Sequence, residues 1–171
     1  MTIGPTSPSG RYVSYHHAND RFFYDQFVTV LSNNYEVLQD NSVDRLIDSY
    51  NADYVIRCIR ENYITGSSCT FVLCGAQTPW RKFVDWEIKA TLDACHGVIG
   101  LNLPSNPLTA PGIYLVPDRL NDNIHSGYAL WLQWNDVIYN PDLLAQQIEV
   151  ARRKPAYLIH NSRALMRQNG Q

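Results

Sequence analysis

No stretch of this chain is apolar for long enough to cross a bilayer. The longest runs, CTFVLCG and GVIGLNL, fall far short of the roughly 20 residues a spanning helix needs. Charge of one sign is also missing. Fourteen basic residues stand against sixteen acidic ones, for a net charge of −2, which removes the electrostatic footprint of a nucleic-acid binder. Cysteine is sparse. Cys58, Cys69, Cys74 and Cys95 show neither CxxC spacing nor the density of a disulfide scaffold, so reduced, buried thiols in a cytoplasmic protein are expected. There is no GxGxxG, P-loop, HExxH or nucleophile elbow. The neighbouring His16 and His17 point to opposite faces if extended, and no further histidines lie at ligand spacing, so no metal site is expected. The opening MTIGPTSPSG has no basic segment followed by an apolar one, so residues 1–10 are expected to form a flexible leader and not a secretory signal.

What the chain does have is 45% apolar residues, eleven tyrosines and four tryptophans, enough for one packed domain with amphipathic aromatics to spare. Residues 11–17, RYVSYHH, read as a first strand. ANDRFFYDQFVTVLSNN reads as a helix capped by Asn19 or Asp20, and YEVLQ as a short second strand. Residues 43–62 carry a second helical stripe. CTFVLCG (69–75) has the continuous apolar character of a strand buried on both faces, and Thr78 with Pro79 reads as the start of the next helix. HGVIGLNL (96–103) is another buried strand. Residues 104–127, with four prolines, read as a long irregular loop or lid. ALWLQWNDVI supplies a fifth strand, and PDLLAQQIEVARRK a helix opened by Pro141. The organisation expected is one domain over 11–155 and a helical extension over 156–171. The alternation implies an α/β fold: a central parallel sheet of about five strands with helices on both faces, and ligands at the carboxyl ends of the strands. SYHH, Cys74 with Gly75, and the start of the long loop would share that rim.

The two acids in RKFVDWEI differ in company. In a helix, Asp85 has Arg81, Lys82 and Lys89 within reach and reads as a solvated surface residue. Glu87 has Phe83, Val84, Ala90 and Thr91 at the corresponding positions. At about 100° per residue from Val84, Ile88 falls at about +40° and Glu87 at about −60°, so its carboxylate looks towards the sheet rim. Such a placement suits a charge kept for a cation that appears only during a reaction. Trp80, taken alone, reads as a core residue.

Three pieces occur in order: RYVSYHHANDRF at the first strand, CTFVLCGAQT at the central strand and WRKFVDWEIKAT at the helix carrying the acid, with GVIGLNL following. Over roughly residues 11–103 this set resembles a TIR domain, and within that family the TIR-like (ThsB-type) proteins of bacterial Thoeris anti-phage defence. The resemblance implies a flavodoxin-like TIR fold and cleavage of NAD+ at the nicotinamide–ribose bond, with the product cyclised to an ADP-ribose isomer that activates a separate effector. It implies Glu87 as the catalytic acid. The substrate-binding set it suggests is Ser14, Tyr15, His16, His17, Asp20, Cys74, Gly75 and Trp80, with NAD+ as substrate and no cofactor. It also implies self-association on activation by a phage-derived trigger. Asp40 and Asp44 fall near the loop after the second strand, which in TIR assemblies often meets a neighbouring protomer. Many TIR enzymes carry arginines where this chain has His16 and His17, so a phosphate grip there would be weaker and pH-dependent. Two other classes suit the same residues: a non-catalytic TIR scaffold acting by assembly, and a nucleoside deoxyribosyltransferase-like N-glycosidic enzyme, which would ignore NAD+.

Overall fold

In the computed structural model, residues 10–37, 51–109 and 112–170 are described. Asp40, Asp44 and the first part of the helix expected over 43–62 lie outside them. The elements run β1 (Gly10–Ser14), α1 (His17–Leu31), β2 (Glu36–Val37), α2 (Ala52–Ile59), β3 (Ser67–Cys74), α3 (Lys82–Asp93), β4 (Gly97–Asn102), β5 (Leu108–Thr109), β6 (Ile113–Tyr114), α4 (Asp118–His125), β7 (Leu130–Gln133), α5 (Trp134–Val137) and α6 (Pro141–Arg152). Five strands form a sheet of order β2-β1-β3-β4-β7 with every pairing parallel. The winding reverses between β1 and β3. In open α/β sheets that reversal opens a crevice at the carboxyl edge.

Alternation along the strands divides the core in two. Val13, Phe71, Leu73, Ile99 and Leu101 pack against α1, α5 and α6 through Phe27, Leu31, Trp134, Leu144 and Ile148. On the other face Tyr12 packs with Val55, Ile59 and Trp86, while Val72 and Val98 meet Val84, Ile88, Leu92 and Leu120 of α3 and α4. A buried aliphatic or aromatic side chain contributes about 1.5–3 kcal/mol, so both layers hold the central strands firmly. All four thiols are free.

Several boundaries differ from the sequence reading, each for a local reason. The first strand stops at Ser14. His16 has extended backbone (φ −87°, ψ 106°) and its carbonyl accepts from Asn19 and Asp20 N–H, so His17 opens α1 instead of ending the strand. Asp20 does not cap that helix but kinks it (φ −115°, ψ 15°). Thr78 and Pro79 make a separate single turn, Thr78–Trp80. The Thr78 hydroxyl is already committed there, accepting from Gly75 N–H at 2.9 Å and donating to Leu73 C=O at 3.2 Å. The chain then extends at Arg81 before α3 begins. That helix closes with Cys95 in the left-handed region (φ 54°), where His96 N–H reaches back to Thr91 C=O.

The segment 104–127 is not one irregular loop: it holds the β5–β6 hairpin and α4. A parallel crossover from β4 to β7 needs such a helix. The helical extension expected after Pro155 is a single turn, Ala156–Leu158. Beyond it the chain runs as a strap whose polar groups bond to α3 and α4. His160 N–H and C=O pair with the Asn123 amide at 2.9 and 2.7 Å. Met166 C=O accepts from Trp86 Nε1 at 2.8 Å, and Gly170 N–H donates to Trp80 C=O. A backbone whose partners are supplied by side chains of other elements has no need of helical bonds.

Candidate active site at the carboxyl edge of β1 and β3

Tyr12 and Ser14 lie two apart on β1 and so face the same side, towards α3. Tyr12 Oη donates to Glu87 Oε1 at 2.7 Å, and Ser14 Oγ donates to Glu87 Oε2. The carboxylate is 6% exposed. One turn on, Thr91 Oγ1 donates to Glu87 C=O at 2.8 Å and accepts from Thr70 Oγ1 at 2.9 Å, which ties the helix turn carrying Glu87 to β3.

Glu87 borders a narrow cleft of about 10 Å³ whose other walls are Tyr15, His16, His17, Arg81, Phe83 and Val84. Tyr15 stacks on Tyr24 with ring centroids 4.2 Å apart and lies 4.1 Å from the His17 ring. Burial holds the His16 imidazole below its ordinary pKa, and the neighbouring Arg81 and His17 push in the same direction, so His16 is neutral near pH 7. Its Nδ1 and the Arg81 Nε are both buried, and neither has a hydrogen-bond partner among the described residues. An acid and a cluster of nitrogen donors thus share one cleft.

The other expected site residues are placed differently. Ser14 acts on Glu87 and does not line the cleft. Cys74 is fully buried among Val72, Val84 and Ile88, and burial raises its thiol pKa strongly. Asp20 is fully buried. Its Oδ1 accepts from Ser105 Oγ at 3.0 Å, and burial raises its pKa. Gly75 lies against that carboxylate: a Cβ built there would come 2.3 Å from Asp20 Oδ2, so only glycine lets β3 end so close to α1. Asp20, Gly75 and Ser105 therefore knit the ends of three elements beneath the rim. Trp80, expected in the core, is 37% exposed, lies against Gly170 and is not a wall of the cleft.

Asp85 is a correction. It is 7% exposed, and the fully buried Arg119 of α4 grips both its oxygens, at 2.8 and 3.3 Å. Met166 N–H adds a bond to Oδ2 at 2.9 Å. Of the basic neighbours read from the sequence, Lys89 pairs with Asp93 instead. Tyr12, Arg81 and Arg119 were the residues the sequence reading missed. Only Tyr12 carried a signal, its i−2 relation to Ser14.

Among the described residues no group of three or more His, Cys, Asp or Glu could hold a metal ion, and no helix is long and apolar enough to cross a membrane. A five-stranded parallel sheet covered by helices, with a buried carboxylate beside its switch point, defines a flavodoxin-like α/β domain of TIR type. The family described as Thoeris protein ThsB, TIR-like domain, matches residues 12–107, over half of the chain, and the protein belongs to it: it is a TIR protein of Thoeris defence. No curated protein matches. The matched segment holds Tyr12, Ser14, every wall of the cleft and Glu87; Arg119 and the C-terminal strap lie beyond it.

Proposed function

We propose that the protein cleaves NAD+ at the nicotinamide–ribose bond and cyclises the remainder to an ADP-ribose isomer that signals to a separate effector in anti-phage defence. The observation that supports this reading best is the Glu87 carboxylate, fixed by two β1 hydroxyls at the edge of a cleft with basic walls.

In the proposed reaction the C1′–N bond breaks heterolytically, and its electron pair neutralises the nicotinamide ring, which leaves as a neutral base. An oxocarbenium ion remains on the ribose. Glu87 stabilises that charge across the cleft and accepts from the sugar hydroxyls. Tyr12 and Ser14 keep it from swinging away. Arg81 Nε–H donates to the diphosphate, and so does His16 in the tautomer that carries its proton on Nδ1. Water attacking C1′ gives ADP-ribose and a proton. A nitrogen or oxygen of the same molecule attacking C1′ through a lone pair, with loss of one proton from the molecule, gives the cyclic isomer. Exclusion of water favours the second route.

The cleft as it stands has only about 10 Å³ of room, about enough for one water, so in the proposed reaction its walls part to admit the sugar, and the rest of the dinucleotide runs along the rim. Self-association and a phage-derived trigger are part of the proposal. Concentrated protein incubated with NAD+ and lysate of phage-infected cells should release nicotinamide and a cyclised ADP-ribose, separable by mass from the linear form. Intact NAD+ under all those conditions would favour the scaffold instead, and turnover of nucleosides alone would favour a deoxyribosyltransferase-like enzyme.

A further inference from the structure

A second cleft opens on the same edge of the sheet, where β4 and β7 end and the β5–β6 hairpin begins, with a volume of about 400 Å³. Its character is opposite to that of the Glu87 cleft. Among the described residues no charged side chain lines it; its polar walls are the amides of Asn102, Asn106, Gln133 and Asn135, and its aromatic walls are Trp134 and Tyr114. A phosphate would find no counter-charge here.

Two of the amides are deeply placed and incompletely used. Asn102 is 6% exposed and Asn106 is 5% exposed. Asn106 Nδ2 donates to Leu115 C=O at 2.9 Å. Because a carbonyl can only accept, this bond fixes which way the amide faces. Asn106 Oδ1 is left with no donor among the described residues. Asn102 Nδ2 donates to Gln133 Oε1 at 2.8 Å, and its Oδ1 is likewise without a donor. Buried acceptors are rarely left so. Two of them in one uncharged cleft call for a neutral ligand that supplies N–H groups. Trp134, 4% exposed, forms part of the floor and is held edge-on to Phe23, 5.4 Å between centroids, and Tyr114 on the wall is half-buried. A planar ligand fits above that floor and beside Tyr114.

We propose that this cleft binds an amino-purine base, its exocyclic amine donating to the Asn106 and Asn102 carbonyl oxygens. Naming that base as the adenine of the dinucleotide rests on the function proposed above; the base site itself does not. Charge then divides along the rim, with sugar and diphosphate at Glu87, His16 and Arg81, and the neutral base at the asparagines.

The test is calorimetric titration of the full chain with adenosine and, separately, with inosine, which replaces the amine by a carbonyl oxygen. Adenosine should bind, and inosine about tenfold or more weakly, the effect of losing a buried hydrogen bond and facing two acceptors with a third. Glu87→Gln should bind adenosine as the wild type does, and Asn106→Leu about tenfold less tightly. No adenosine binding up to millimolar concentration, equal binding of inosine, or undiminished binding by folded Asn106→Leu would each overturn the proposal. Should Asn106→Leu fail to fold, the adenosine-to-inosine ratio on wild type decides alone. NAD+ turnover without adenosine binding discards the base site and leaves the enzymatic reading intact; adenosine binding without turnover does the reverse.

Discussion

Glu87→Gln is expected to fold as the wild type does and to lose NAD+ turnover by at least about a hundredfold, the scale on which a preorganised electrostatic group acts. Both halves of that expectation come from the contacts of the side chain. Tyr12 and Ser14 hydroxyls donate to the two carboxylate oxygens. A glutamine keeps one oxygen to accept from one hydroxyl, and its NH₂ can donate to the other, because a hydroxyl both donates and accepts. Shape and hydrogen bonding survive, and only the negative charge is removed. A purely structural role for Glu87 would therefore leave turnover unchanged, whereas a role against a developing cation cannot. Melting curves of the two proteins should superimpose closely while nicotinamide release differs. Equal NAD+ consumption would end the assignment.

The second large effect is on stability. Arg119→Met should lower stability by about 3–5 kcal/mol, the cost of breaking a buried ion pair from one side. For a chain of this length that is a fall in melting temperature of roughly 6–20 °C. Arg119 is fully buried. It holds Asp85, Asn161 Oδ1 and Ala164 C=O together, so its loss strands a carboxylate at 7% exposure and loosens the strap at once. Pairing the change with Asp85→Leu should restore much of the loss, since a buried pair replaced on both sides by apolar groups is often neutral. Recovery stays incomplete because Met166 N–H and Ala164 C=O lose their partners as well. A melting temperature unchanged by Arg119→Met would show that the pair contributes nothing.

These two acids show where sequence reasoning reached and where it stopped. Strand alternation and helical periodicity are local, and they located β1, β3, β4, α3 and α6 to within a few residues. They also turned Glu87 towards the rim. Asp85 was misread because its partner lies 34 positions away on α4, and an i±4 inventory sees only Arg81, Lys82 and Lys89. The strap after Pro155 was misread for a related reason. Its backbone groups are satisfied by Asn123, Asp85 and Trp86, so its conformation is set by other elements and not by its own composition. The 104–127 segment concealed α4 because four prolines drew attention to breaks, while the one buried face of Leu120 and Asn123 is too short a stripe to stand out. Arg81 was read as the partner of a neighbour, yet its Nε has none. Only the approach of His16 across the switch point reveals it as part of the cleft.

In the proposed reaction positive charge forms at C1′ beside the Glu87 carboxylate. The most direct test is competitive turnover of NAD+ tritiated at C1′ of the nicotinamide ribose against unlabelled NAD+ by the activated protein. Flattening of C1′ towards an oxocarbenium ion loosens the out-of-plane bend of its hydrogen, so the tritiated substrate should react more slowly and accumulate in what remains. Equal reaction of the two substrates, or no release of nicotinamide by the assembled protein, would contradict it.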